Sequence, residues 1–268
     1  MTFEFSIIGF GRVGAALARS LSRLGGICTG VVTSDESKLD DKISGFHFKK
    51  LVDYSFTGQF CFICVPDDKI IELAEYLSKH PEIPLKTNFI HVSGTRSSHD
   101  LDVLRNRGYQ VASFHPLQTF HTEADIDIFR NILISIEGDD EIKTKLFDVA
   151  NLLESRPLEV TPEQKKTIHI AAVFVSNFQS SLVLEAGKVI ATQFENSEEF
   201  VRQNFSSLMQ QTVLNISKKG FPDALTGPAA RNDLKTIRNH VEYLNQNGLD
   251  SSLYHELSEI IRRYQESK

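Results

Sequence analysis

At 268 residues the chain is long enough for one large domain or two ordinary ones, and 41% hydrophobic with 24% charged residues is the balance of a soluble globular protein. Twenty-nine Lys and Arg against 35 Asp and Glu leave a net charge of −6, which argues against a nucleic-acid partner. No apolar run approaches the ~20 residues of a membrane span, so no membrane partner is expected. The first strand starts too early for a signal peptide, and three cysteines without an export signal predict a reducing cytoplasm.

The first element is an apolar run, Phe5-Ser6-Ile7-Ile8, that reads as a buried strand. It turns at Gly9-Phe10-Gly11-Arg12-Val13-Gly14 and leaves as a helix with Val13, Leu17 and Leu21 on one side. Strand, G-x-G-x-x-G and helix together form the dinucleotide fingerprint. Gly9 permits the tight turn, Gly11 admits a pyrophosphate to the backbone, and Gly14 lets the helix pack close to the strand. The free N–H groups of the helix start then face the phosphates.

Gly25-Gly26 ends the helix, and Ile27 to Thr33 reads as a second strand. In this fold its end chooses between NAD and NADP, because a carboxylate there binds ribose hydroxyls while an Arg suits a 2′-phosphate. Thr33-Ser34-Asp35 leaves both open: Asp35 stands about 20 residues past Gly14, as the fingerprint expects, yet the Thr33 and Ser34 hydroxyls with Arg12 would serve a phosphate. Gln59 to Val65 is a continuous apolar run of the parallel-strand kind. It ends at Val65-Pro66-Asp67, which should line the nucleotide, although an Asp there equally suits a helix N-cap. Cys61 and Cys64, three apart on that strand, point to opposite faces and are expected to be buried apolar residues rather than a redox pair.

Asn88 to Val92 reads as the next strand, followed by Ser93-Gly94-Thr95 and a helix from about Ser98 to Arg107. Tyr109 to Phe114 is a strand leading into His115-Pro116, Ile132 to Ile136 another, Glu141 to Glu154 a helix, and Leu158 to Val160 a last short strand. Strand and helix alternate through residues 1–160, which predicts a doubly wound parallel α/β sheet, the Rossmann arrangement. Residues 161–268 show no strand pattern and predict an all-helical second domain, beginning with one long helix from Glu163 to about Gln193.

On that helix Ile168, Ala171, Phe174, Val175, Phe178 and Leu182 share a face expected to be core. Lys165, His169, Ser176 and Ser180 form a polar stripe, with Asn177 at its edge. If the stripe faces a cleft between the domains, His169 suits proton exchange, and Ser176, Asn177 and Ser180 suit substrate orientation. His115 follows a strand end and shares the acid/base candidacy; His91 lies within a strand and reads as structural. In the loop Leu225 to Asp233, Arg231 is a candidate for an anionic group or for a subunit interface. No His, Cys, Asp or Glu cluster has ligand spacing, so no metal is expected.

These motifs resemble a bacterial family with a Rossmann-like domain followed by a helical domain of unknown function. The residues that carry the resemblance are Gly9 to Gly14, Cys64-Val65-Pro66-Asp67, His91-Val92-Ser93-Gly94, Ser113 to Phe120, His169 to Asn177 and Leu225 to Asp233. The family is similar to the 6-phosphogluconate dehydrogenase group, whose relatives include pyrroline-5-carboxylate reductase, ketopantoate reductase and the deazaflavin-dependent NADP reductases. The resemblance implies an oxidoreductase using NADP or NAD, dimeric through its helical domain, that transfers hydride to or from a small polar C=O or C=N substrate. Phe10, Val13 and Ser93 join the cofactor set through their motifs. Two departures stand out: the family Arg after the second strand is replaced by Ser34-Asp35, and its Arg-Gly-Asp by Arg231-Asn232-Asp233. Lys165 stands too far ahead of Asn177 for the catalytic Lys–Asn spacing of the hydroxyacid-dehydrogenase relatives, and His169 takes the nearer position. The alternative is a non-catalytic nucleotide-binding sensor or assembly module on the same scaffold.

Overall fold

The computed structural model describes residues 3–35, 37, 45–80, 82–121 and 127–266. The chain divides into two compact units, 1–174 and 175–268.

The first unit is built on one eight-stranded sheet. Its strands are β1 (Glu4–Ile8), β2 (Ile27–Val32), β3 (Phe48–Lys49), β4 (Phe60–Ile63), β5 (Asn88–His91), β6 (Val111–Pro116), β7 (Leu133–Gly138) and β8 (Arg156–Glu159), in the order β3-β2-β1-β4-β5-β6-β7-β8. From β3 to β6 every pair is parallel. The strand order reverses at β1, the switch point where α/β sheets open a crevice for ligands.

Strand alternation fills both faces. Phe5, Ile7, Phe60, Phe62, Ile90, Phe114 and Ile136 point to one side, under α1 (Arg12–Arg23) and α4 (Asp140–Leu152). Ile8, Cys61, Ile63, Phe89 and Val111 point to the other, under α2 (Ile70–Ser78) and α3 (Asp102–Arg105). Cys61 is buried and Cys64 half-buried, both as free thiols whose pKa burial raises. The sequence predicts a parallel sheet, but β7 runs antiparallel to β6. No helix occurs in the described parts of their connection, 117–121 and 127–132, and only a parallel return needs a crossover helix.

The predicted long helix is two helices, α5 (Pro162–Val175) and α6 (Asn177–Ala191), separated at Ser176, whose backbone departs from helical geometry. α5 starts with a reciprocal cap: Gln164 N–H donates to Thr161 Oγ1, and Thr161 N–H donates to Gln164 Oε1. Its expected core face is not core. Phe174 is 65% and Val175 70% exposed, and Phe178 and Leu182 are exposed as well. The buried residue of α5 is Lys165, at 2% exposure. The expectation that no run approaches a membrane span is also corrected: within residues 162–191 an 18-residue window reaches a mean hydropathy of 1.4, enough by length and composition alone to match a span. Ser, Asn and Gln are scattered through this stretch, but its charges are too few to lower the average further.

The second unit continues with α7 (Ser197–Lys219), α8 (Phe221–Ala224), α9 (Leu234–Gln246) and α10 (Ser252–Glu266). Asp233 caps α9, its carboxylate accepting the Thr236 N–H at 3.1 Å and the Thr236 hydroxyl at 2.7 Å. Asn232 holds a left-handed φ of 54°, so it does serve where a Gly would be expected.

The glycine turn is the tightest contact in the first unit. Gly9 has φ 97°, and a Cβ there would stand 2.5 Å from the Cys64 carbonyl oxygen. A Cβ on Gly14 would overlap the Gly9 carbonyl oxygen. Gly14→Ala is therefore expected to force α1 off β1 and to destabilise the protein by ~2 kcal/mol or more, read as a lower urea midpoint. Gly11→Ala, with open space around the new Cβ, should cost under ~1 kcal/mol in the same experiment.

Candidate active site

Parallel strands deliver their carboxyl ends to one edge of the sheet. β1 ends at Gly9, β2 at Thr33, β4 at Cys64 to Asp67, β5 at Val92 to Thr95, and β6 in His115 and Pro116. All of the first-unit residues predicted for the site, apart from His169, therefore lie along one edge.

At the turn, Gly11 precedes α1 with no side-chain cap, and no acid stands in the first turn. The helix start offers backbone N–H groups, and nothing lies within 4 Å of where a Gly11 Cβ would be. This is the open, donor-rich cradle a pyrophosphate needs. The Phe10 ring stacks edge-on against Phe48, centroids 4.9 Å apart, and Val13 packs on the core. Arg12 is exposed, Thr33 is buried and Ser34 is exposed.

Asp67 is not a helix cap. The short 3-10 turn Asp67–Lys69 has no side-chain cap, and the Asp67 carboxylate accepts the Thr95 hydroxyl, tying the β4 and β5 ends together. Burial alone would raise its pKa; hydrogen bonds from Thr95 and Ser93 and the Arg96 charge outweigh burial and hold it below its usual value. Ser93 is buried, and its Oγ accepts the N–H groups of Thr95 at 3.2 Å and Arg96 at 3.1 Å.

Next to this loop lies a polar patch that strand register explains. Ser113 of β6 is paired with His91 of β5 on one side and Glu137 of β7 on the other, and His115 is paired with Ser135. With period two, Ser113 and His115 share a face, so His91, Ser113, His115, Ser135 and Glu137 form one polar patch. α5 brings Lys165 and His169, one turn apart, onto the same patch. Lys165 Nζ donates to Ser113 Oγ and to the Arg96 carbonyl, and stands 3.6 Å from Glu137 Oε1. Glu137 accepts the Ser98 N–H and hydroxyl, both at 2.7 Å. Burial pulls the Lys165 pKa down to about 8, against the opposing pull of Glu137.

His115 and His169 meet with ring centroids 5.9 Å apart, edge to face. Both crowd Gly94: a Cβ there would lie 2.7 Å from His115 Nε2 and 2.6 Å from His169 Nδ1. Burial first, and then the Lys165 charge, push His115 down to about 4 and His91 to about 3. Both imidazoles are thus neutral near pH 7. His91 Nδ1 accepts the Ser93 N–H at 3.2 Å. His91 Nε2 and His115 Nδ1 are buried without a hydrogen-bond partner among the described residues.

Residues 2–116 match the family model of a Rossmann-like domain, and residues 132–261 match a domain of unknown function, DUF2520. The chain joins a Rossmann-like domain to a DUF2520 domain. No curated protein matches the sequence. Among solved structures it is similar to a candidate NADP oxidoreductase from Bacteroides fragilis, with TM-score 0.82, 24% identity and 98% of each chain covered. It is similar to a Thermotoga maritima protein, TM1727, with TM-score 0.78, 22% identity, and 98% of this chain and 99% of that one covered. It is also similar to a reductive aminase from Aspergillus terreus in complex with NADPH and ethyl-5-oxohexanoate, with TM-score 0.64, 14% identity, and 98% and 93% covered. At these identities the likeness establishes the fold. His115 belongs to the Rossmann-like match, whereas Glu137, Lys165 and His169 belong to the DUF2520 match. The polar patch is built from both, inside one compact unit.

Of the predicted residues, the structure brings together His115 and His169, beside Ser93 and Gly94. Ser176, Asn177, Ser180 and Arg231 belong to the second unit. There Ser180 Oγ donates to the Ser176 carbonyl at 3.4 Å, and Arg231 and Asn177 are exposed. Sequence reasoning placed Lys165 in the polar stripe without giving it a role, and it missed Glu137. The signal for Lys165 was present as its spacing of four from His169. Glu137 carried none, because an acid near a strand end is ordinary.

The two depressed imidazoles set an acid limit on stability. A histidine that charges near 6.5 when unfolded, but at about 3 or about 4 when folded, binds its proton only in the unfolded chain between those values. The stability is complete above pH 6.5 and is lost as pH falls through the window. Urea midpoints should decline from pH 6.5 toward 4, and His115→Asn should make that decline shallower.

Proposed function

We propose that the protein is a nicotinamide-dependent oxidoreductase acting on a small polar C=O or C=N compound. The observation that carries this reading is the pairing of His115 and His169 over Gly94, on the sheet edge that also holds the glycine turn. The Bacteroides and Aspergillus neighbours, named for NADP and bound to NADPH, support the cofactor class.

In this reading the backbone of Gly9 to Gly14 holds the pyrophosphate, Thr33 and Ser34 meet the adenosine ribose, and Val65, Pro66, Asp67 and Ser93 line the rest of the dinucleotide. The nicotinamide supplies hydride chemistry. The chain's own share is position and proton. His169 exchanges a proton with the substrate oxygen or nitrogen. His115, neutral at pH 7, fixes substrate by a hydrogen bond; burial, helped by the adjacent Lys165 charge, keeps it neutral. For the second unit we propose substrate orientation by Ser176, Asn177 and Ser180, and recognition of an anionic group by Arg231.

NADPH and NADH binding should be measured by nicotinamide fluorescence, and turnover on a panel of keto acids and imines by nicotinamide absorbance. His169→Ala is expected to leave cofactor affinity intact and to lower kcat by ~100-fold or more. Unchanged turnover would remove His169 from the proton role. Failure to bind either dinucleotide would overturn the oxidoreductase reading.

The helical unit supports a homodimer. Among its described residues only Val201, Ala229, Ile237 and Leu244 are buried apolar side chains, while Val175, Leu184, Leu208 and Phe221 are more than 60% exposed. So little burial does not offset the ordering entropy of a unit this size, and α6 and α7 expose apolar residues that a second copy would cover. Light scattering should give twice the chain mass, and Leu184→Glu with Leu208→Glu should return it to one chain. A monomeric wild type would defeat the proposal.

A further inference from the structure

The charges of the polar patch discriminate between the two substrate classes left open above. His115 Nε2 and His169 Nδ1 lie 2.7 and 2.6 Å from one point, the place a Cβ on Gly94 would take, so the two imidazoles converge there. Lys165, one turn before His169 on α5 and 2% exposed, sets its ammonium against the same patch. Of the charges acting on His115, Lys165 outweighs the opposing Asp67, and a proton on His169 adds to the positive side.

Among the described residues, the carboxylates around this ammonium are already engaged. Those that act on Lys165 are Glu137, Asp67 and Asp100. Glu137 faces the ammonium and accepts two bonds from Ser98. Asp67 accepts the Thr95 hydroxyl, and Asp100 stands 3.5 Å from the Arg96 guanidinium. A second cation placed here would meet both desolvation and like-charge repulsion. The two candidate reductions differ in this respect. A carbonyl that receives hydride builds negative charge on oxygen and needs a proton donor. An imine receives hydride as its iminium cation, which loses its charge and takes up no proton in that step.

We infer that the substrate is a carbonyl compound and not an imine, because the buried Lys165 ammonium and the converging imidazoles of His115 and His169 favour an oxygen gaining negative charge and disfavour an iminium nitrogen. The inference rests on the oxidoreductase reading above and narrows its substrate to a ketone, an aldehyde or a 2-oxo acid. In the balanced step, hydride from reduced nicotinamide forms the new C–H bond, the C=O π pair becomes an oxygen lone pair, and His169 supplies the proton of the new hydroxyl. Water then returns a proton to His169. Lys165 acts by its field alone: its Nζ is held by the Ser113 hydroxyl and the Arg96 carbonyl, which makes it a positioning residue.

The test compares neutral and cationic compounds of similar size on the intact chain. Turnover of pyruvate and cyclopentanone is set against that of 1-pyrroline and 2-methyl-1-pyrroline, with NADPH and with NADH. Separately, 2-pyrrolidinone, a neutral lactam, and pyrrolidinium, a cation, are titrated into the NADPH-saturated protein, with binding read from the histidine imidazole NMR signals. One of the carbonyls should be reduced with a kcat/KM at least ~100-fold above either pyrroline, and the lactam should bind at least ~10-fold tighter than pyrrolidinium. Lys165→Met should shrink both ratios by ~10-fold or more and raise the pH at which His115 titrates. Lys165→Met with Glu137→Gln removes both partners of the buried pair and should do the same if the single variant fails to fold. Faster reduction of a pyrroline than of both carbonyls, or pyrrolidinium binding as well as the lactam, would overturn the inference and leave the oxidoreductase reading intact. If neither ring compound moves an imidazole signal, the histidine pair is not the substrate seat and both readings fall.

Discussion

The first unit depends on how one buried ammonium is compensated. Lys165 sits at 2% exposure against β6, β7 and the loop after β5. An unpaired charge there would cost several kcal/mol. Three acceptors meet it: the Ser113 hydroxyl, the Arg96 carbonyl and the Glu137 carboxylate. They come from the loop after β5, from β6 and from β7, so holding the ammonium also holds those elements in register. Glu137 in turn is satisfied by Ser98 at the start of the turn leading to α3. The chain of contacts anchors α5 on the sheet, which explains why this helix belongs to the compact unit of the Rossmann-like domain.

The same charge shapes the chemistry available beside it. A cation near His91 and His115 adds to burial in keeping both imidazoles neutral. A neutral imidazole has one donor and one acceptor nitrogen, which suits it to orient a polar group. Gly94 lets this happen at close range, since any side chain there would collide with both His115 and His169. Two tight glycine contacts thus bracket the sheet edge, one at Gly9 and Gly14 and the other at Gly94.

The two units differ in how they are stabilised. The sheet is covered on both faces, and its core residues are almost wholly buried. The helical unit keeps most of its apolar side chains at the surface. Its helices read clearly from their caps and periodicity, because those signals are local. Periodicity shows only that a face is apolar; it does not say what covers that face. For that reason the expected core face of the long helix was misread.

The sequence by itself determined the alternation of strands and helices, the glycine turn with its reasons, the strand ends that border it, and His115 and His169 as the imidazoles to watch. Each of these rests on local chemistry: turn conformation, periodicity, and the rule that parallel strands present their carboxyl ends together. Only the tertiary structure decided which polar residues share the patch. His91, Ser113 and Glu137 become neighbours through strand register, which pairs residues 22 and 24 positions apart in the chain. It also turned Asp67 from a plausible helix cap into a bond to Thr95. These are contacts across strands, and no spacing within a single element encodes them.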